Sequence, residues 1–321
     1  MTRRRIGSTM RLALPPARPP EIDSRQYIFS YLIRSPEDAP ADFPIPEPAR
    51  LHIGLFLPRD GPDWFGRRVY PPRILLLERS APEVNAIVVL THPRYAEPPV
   101  RIALPDIVFC EIGHILLIGW IRLVPTARSA IHLPYNTGLD RSVSEFVDTL
   151  LRQYLSPGME PGSEPEGSSE HTRFEHDTFG PPLDIKFRNS LTHALQPGER
   201  LRATWFSPPY QASRRWGPFR VNTEVGGDLV AYTDRRVLWI TDRCNGRYER
   251  YGTVVSSAPV RGVIGAQALQ NRDVSALTIS FQSGVSWSIP IPSDGRADAE
   301  SFAPQLNCPP GATDPCCFPN R

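Results

Sequence analysis

Asp228–Val255 reads DLVAYTDRRVLWITDRCNGRYERYGTVV, and the fold is decided here. Asp228–Tyr232 and Val237–Thr241 are short apolar runs rich in β-branched and aromatic residues. Between them stands Thr233-Asp234-Arg235-Arg236, the polar break of a tight hairpin connection. Asn245-Gly246 marks a second turn, leading to a third apolar segment at Thr253–Val255. The local unit is therefore an antiparallel meander of short strands.

Composition points the same way. The chain has 321 residues, enough for one or two domains with a buried core in each, and 37 of them are proline. Proline removes a backbone donor and fixes φ, so it belongs in turns, strand ends and linkers rather than helix interiors. A formal net charge of +2 gives no global reason to expect nucleic-acid binding. Lys186 is the sole lysine, so the cationic side chains are arginines, whose forked donors suit phosphate. Cys110, Cys244, Cys308, Cys316 and Cys317 follow neither a disulfide framework nor metal-ligand spacing. The expectation is a soluble protein of a reducing cytoplasm, with no secretory signal in MTRRRIGSTMRLALPPARPP. The longest apolar run, Ile115–Val124, is interrupted by Arg122 and too short to span a bilayer.

Along the chain, residues 1–47 read as a Pro/Arg-rich extended arm and 48–156 as a first domain. Short β-branched segments fill that domain until the period changes at Ser142. There SVSEFVDTLLRQYL places Val143, Phe146, Val147, Leu150, Leu151 and Tyr154 on one helical face, and Pro157-Gly158 ends the helix. Residues 157–182 form a Pro/Gly/Ser/Glu linker. A second domain occupies 183–306, with Ser213–Arg220 as a loop and Arg296–Leu306 as a closing helix; 307–321 is a tail.

The two halves align. His132-Leu133-Pro134 and Ser288-Ile289-Pro290 each close a strand, and a phenylalanine within a helical pattern follows each proline, Phe146 and Phe302. Upstream, PPVRIALPDIVFCEIG and GTVVSSAPVRGVIGAQ share an apolar pair, a proline and a second apolar segment. This is the pattern of a duplicated domain. With TDRRVLWITDR at its centre, the second half resembles the bacterial pleckstrin-homology-like (GRAM-related) domains. The T-D-x-R signature falls at Thr233–Arg236, and the late L-x-I-x-F…G…W-x-I-P pattern at Leu277, Ile279, Phe281, Gly284, Trp287 and Pro290. The first half lacks the signature, with LLLERSAPEVNAIVVL in its place. The resemblance implies a mainly β protein of two tandem, strongly bent antiparallel sheets or partial barrels, each capped by its C-terminal helix. It implies adaptor or membrane-proximal roles and seldom catalysis.

Candidate sites follow. Arg214, Arg215 and Arg220, with Arg235 and Arg236 of the hairpin, could form a cationic mouth for a phosphorylated headgroup. Against this, Arg235 or Arg236 would serve the hairpin itself as a structural hydrogen bond or ion pair. Trp216 and Phe219, or an open strand edge, would receive a peptide partner. His171, Glu175, His176 and Asp177 are metal ligands by type but sit in the linker without supporting residues. Cys110-Glu111-Ile112-Gly113-His114 lies in a strand pattern, so its ends share no helical face. Cys308, Cys316 and Cys317 read as incidental thiols of a tail, and nothing pairs Asp106 or Glu111 with a second catalytic group. The expected function is a non-enzymatic interaction or scaffold module with a protein or peptide partner. No metal, cofactor or nucleic acid is expected. Peripheral binding to an anionic membrane is the alternative, and an enzyme of unrecognised type the third.

Overall fold

The computed structural model describes residues 29–58, 70–80, 83–116, 118–137, 140–155, 183–216, 219–244, 247–248, 251–271, 274–292 and 294–307. The chain is mainly β. Strands β1 (Tyr31–Ile33), β2 (Leu51–Leu57), β3 (Arg73–Ser80), β4 (Glu83–Thr91) and β5 (Val100–Ala103) form an antiparallel sheet in chain order. A 3-10 turn, Leu104–Asp106, redirects the chain into β6 (Ile107–Ile115), β7 (Ile118–Pro125) and β8 (Ile131–Asn136), followed by helix α1 (Asp140–Leu155). Helix α1 lays the stripe read from sequence, Val143 to Tyr154, against the inner faces of both groups of strands, where all six side chains are buried.

The second half begins with helix α2 (Ile185–Ala194), capped by Asp184, whose carboxylate accepts the Lys186 amide at 2.8 Å. Then come β9 (Leu201–Ser207), β10 (Tyr210–Trp216), β11 (Phe219–Val225), β12 (Asp228–Thr233) and β13 (Arg236–Thr241). The two-residue strands β14 (Arg243–Cys244) and β15 (Arg247–Tyr248) precede β16 (Gly252–Pro259). A 3-10 turn, Val260–Gly262, leads to β17 (Val263–Asn271), β18 (Val274–Phe281), β19 (Ser286–Ile291) and helix α3 (Arg296–Leu306). Every residue of β12 is buried because both faces are covered. Val230 and Tyr232 face the strands β17–β19, while Leu229 and Ala231 face α2.

The last three strands and helix of each half recur at one constant spacing. Ile107 and Val263 open β6 and β17, Ile118 and Val274 open β7 and β18, and Phe146 and Phe302 anchor α1 and α3. Even the irregularity is repeated. A register shift separates the pairs Ile107↔Pro125 and Phe109↔Val124, and another separates Val263↔Phe281 and Gly265↔Ser280. In the first half, the Tyr154 hydroxyl lies 2.9 Å from the carbonyls of Ile107 and Val108, which the bulge turns out of the ladder. The two 3-10 corners fix the alignment two residues away from the proline match at Pro105 and Pro259.

Three expectations need correction. Ser213–Arg220 is no loop: most of it belongs to the β10–β11 hairpin, with Arg215 opposite Arg220 and Trp216 opposite Phe219. Residues 31–47 are not wholly an extended arm, because β1 pairs with β2 and Phe43 is buried against Phe56. Third, the halves are joined through one sheet. Strands β8-β7-β6-β16-β13-β12-β9 form seven continuous strands, with β6 antiparallel to β16 from Cys110↔Ser257 to Ile115↔Gly252. Val108, Phe109 and Val124 of the first half also enter the core of the second, Phe109 stacking edge-on to Trp287 at 5.4 Å between centroids. The proposed linker, 157–182, lies outside the described residues.

Candidate functional site

The T-D-x-R turn is closed by its own side chains. Thr233 Oγ1 accepts the amides of Arg235 and Arg236 at 3.1 and 2.9 Å, closing the turn, and donates to Glu199 Oε1 at 2.6 Å. Asp234 Oδ1 accepts the Arg200 amide at 3.0 Å, which ties the turn to β9. Arg236 then runs inward, its side chain only 1% exposed. Its Nε and Nη2 meet Glu199 Oε1 and Oε2 at 2.9 and 2.7 Å, Nη1 donates to Ser257 Oγ at 3.2 Å, and Nη2 also reaches the Ala194 carbonyl at the end of α2. Burial alone would raise the Glu199 pKa, but the guanidinium, Thr233 and the Gln196 amide hold it below the ordinary carboxylate value. Arg236 is thus the structural arginine of the hairpin.

Arg235 is half-buried and directs no described hydrogen bond outward. Arg214, Arg215 and Arg220 lie on the β10–β11 arm, which forms its own two-stranded sheet, as do Trp216 and Phe219 at its closing pair. Arg243 turns back to Asp228, 2.5 Å away, and lies over the Trp239 ring. The linker ligands His171, Glu175, His176 and Asp177 and the tail thiols Cys308, Cys316 and Cys317 lie outside the described residues. Among the described residues, no group of three or more His, Cys, Asp or Glu is placed to hold a metal ion, and no helix is long and apolar enough to cross a membrane. Cys110 is buried, its thiol pushed up to about 12 by desolvation, which suppresses the reactive thiolate.

Asp228 and Asp242 form a second buried electrostatic feature at the far end of the hairpin. Both are raised by desolvation, Asp242 to about 6, with Lys186 Nζ 3.9 Å from its carboxylate. A groove of about 560 Å³ separates α1 from α2 above the β6–β16 seam. Asp148 and His193 stand on its walls and Thr253 on its floor; the Gln196 amide reaches Asp148 Oδ1 at 3.4 Å.

Strand β17 lies at an edge of its sheet, with helix α3 packed against it and both ends of that helix bonded to it through Arg296–Gln270 and Asn307–Ala266. β17 ends the β17-β18-β19 sheet, and Val263–Asn271 contains neither proline nor a charged residue. Natural edges are ordinarily blunted by such residues, or by shortness. Among the described residues, this edge is met from outside the ladder by Asn307: the Ala266 amide donates to Asn307 Oδ1 at 2.6 Å, and Asn307 Nδ2 donates to the Ala266 carbonyl at 3.2 Å. Because an antiparallel strand alternates the direction of its peptide groups, Ala268 and Gln270 point the same way as Ala266. A cavity of about 330 Å³, lined by Ile264, Gly265, Ala266, Gln267, Ser280 and Asn307, lies beside it, and Ile264 and Leu269 are exposed. The sequence carried this signal in its uncharged, proline-free strand; that β17 pairs with β18 alone among the described strands was not legible. No protein-family model and no curated protein sequence matches the chain.

Proposed function

We propose that this protein is a non-enzymatic interaction module of two pleckstrin-like halves that takes an extended peptide along the outer edge of β17. One observation carries the reading. The strand at the equivalent place in the first half, β6, accepts an antiparallel strand on this edge, namely β16. The first half's acceptor edge is thereby filled within the chain, and among the described residues the second half's is met by a single side-chain amide. Main-chain hydrogen bonds to Ala268 and Gln270 would supply affinity, and the exposed Ile264 and Leu269 would set side-chain preference. The recurrence of strands, bulge and helix supports the tandem pleckstrin-like reading, as does the T-D-x-R turn. The headgroup reading loses Arg236, which is consumed inside the fold.

A synthetic peptide copying Gly252–Pro259, the strand that β6 accepts, is the natural probe. Fluorescence anisotropy with the full chain is expected to show binding, with amide exchange slowed at Ala268 and Gln270. Ala268→Pro removes an edge donor at a place where an edge strand tolerates proline, and is expected to abolish binding with the fold retained. Asn307→Ala, which clears Ala266, is expected to tighten it. Unchanged affinity in Ala268→Pro would remove the β17 edge from the account.

A further inference from the structure

We infer that the apex of the β6–β7 hairpin is a lipid-inserting tip, which seats the protein on a bilayer surface independently of any peptide at β17. Leu116 and Ile118 at this apex are 68% and 60% exposed, and Tyr251, 67% exposed, stands beside them. The neighbourhood follows from register: Ile115 pairs with Ile118 across the hairpin and with Gly252 across the seam, so the residue before Gly252 flanks the apex.

Two observations show that local folding does not ask for these side chains. Leu116 sits at φ 52°, the left-handed region. A leucine there is strained where glycine or asparagine would be comfortable. The second is an internal control. The hairpin β17–β18, which carries the same bulge and the same register, has Asn271-Arg272-Asp273-Val274 where β6–β7 has Ile115-Leu116-Leu117-Ile118. Two strands in the same register are thus connected through a polar sequence in one half and an apolar sequence in the other. Residues that break a local rule and are not needed by the fold point to function.

The shape of the tip selects the occupant. A hairpin apex is convex and offers no groove to a partner's side chain. Leu116, Ile118 and Tyr251 present on the order of 400 Å², about half of the ~800 Å² that each partner gives to a standard protein interface. A lipid surface has no such threshold, since each apolar side chain that enters the acyl boundary adds its own contribution. A tyrosine at the rim suits the headgroup level, where its ring and hydroxyl are both accommodated. The apex backbone is prepared as well: Thr137 Oγ1 donates to the Leu116 carbonyl at 2.9 Å, giving that acceptor an internal partner on leaving water.

The test uses the full chain with vesicles of phosphatidylcholine alone and of phosphatidylcholine with phosphatidylserine. Binding to both, little changed between 0.1 and 0.5 M salt, is expected. So is at least a tenfold loss of partitioning when Ile115→Asn, Leu116→Arg, Leu117→Asp and Ile118→Val copy the polar apex. Leu116→Asn alone, which relieves the left-handed leucine, is expected to bind more weakly while unfolding no earlier. A Leu116→Trp variant should be quenched by lipids brominated along the acyl chains. Three results would each overturn the inference: no binding to either vesicle, undiminished binding by the copied-apex variant, or binding that requires phosphatidylserine and vanishes with salt. A wild-type dimer that the copied apex converts to monomer in sedimentation equilibrium would assign the tip to a second copy instead.

Discussion

Replacing Glu199 by alanine should expose how much of the second half hangs on one buried ion pair. Glu199 accepts four donors: Arg236 Nε and Nη2, the Thr233 hydroxyl and the Gln196 amide. Its removal leaves a guanidinium, 1% exposed, with only Ser257 and the Ala194 carbonyl as partners. Breaking a buried pair from one side costs about 3–5 kcal/mol, most of it the penalty of an uncompensated buried charge. With an m-value of about 2.5 kcal/mol/M, urea denaturation should show the midpoint falling by about 1.5 M with m unchanged. The double variant Glu199→Leu/Arg236→Met removes both charges together and should cost less than Glu199→Ala alone. Single and double costs that add to within about 0.5 kcal/mol would refute the reasoning, because additivity means the two groups do not depend on each other. The pH sign is fixed as well. The folded-state pKa of Glu199 is depressed, so its contribution is present above the unfolded carboxylate range and lost on acidification below it. Glu199→Gln should lack that acid-dependent loss.

Asp242 should act in the opposite sense. Its folded pKa is raised from 3.8 to about 6, so the folded state holds the proton more tightly and stability declines as pH rises between those values. Urea midpoints measured across that interval should flatten in Asp242→Asn. Gly113 lies under Trp120, and a Cβ there would stand 2.1 Å from the ring; Gly113→Ala should therefore destabilise by about 1–3 kcal/mol in the same assay. A midpoint unchanged from wild type would show that Trp120 moves aside freely.

Much of the architecture was legible because it rests on local rules. The α1 stripe from Val143 to Tyr154 repeats at helical spacing, and the amphipathic face it defines is the face buried. The turn at Thr233–Arg236 is made by its own side chains, so its residues announce it. Helix α2 was less legible. Of its ten residues only Phe187 and Leu191 are buried, too sparse a stripe to declare a period. The β10–β11 hairpin was hidden by Arg214-Arg215-Trp216, which break the apolar alternation by which a strand is recognised.

By itself the sequence determined the mainly β class, the hairpin at its centre and the amphipathic period of helix α1. These depend on neighbours a few residues apart. Only the tertiary structure decided that β6 and β16 join the halves in one sheet, that Arg236 turns inward to Glu199, and that β17 pairs with β18 alone among the described strands. The physical reason is that a strand's alternation names its buried face but not its lateral neighbour. Backbone donors and acceptors are the same at every residue except proline, so which edge pairs with which is settled by packing far along the chain.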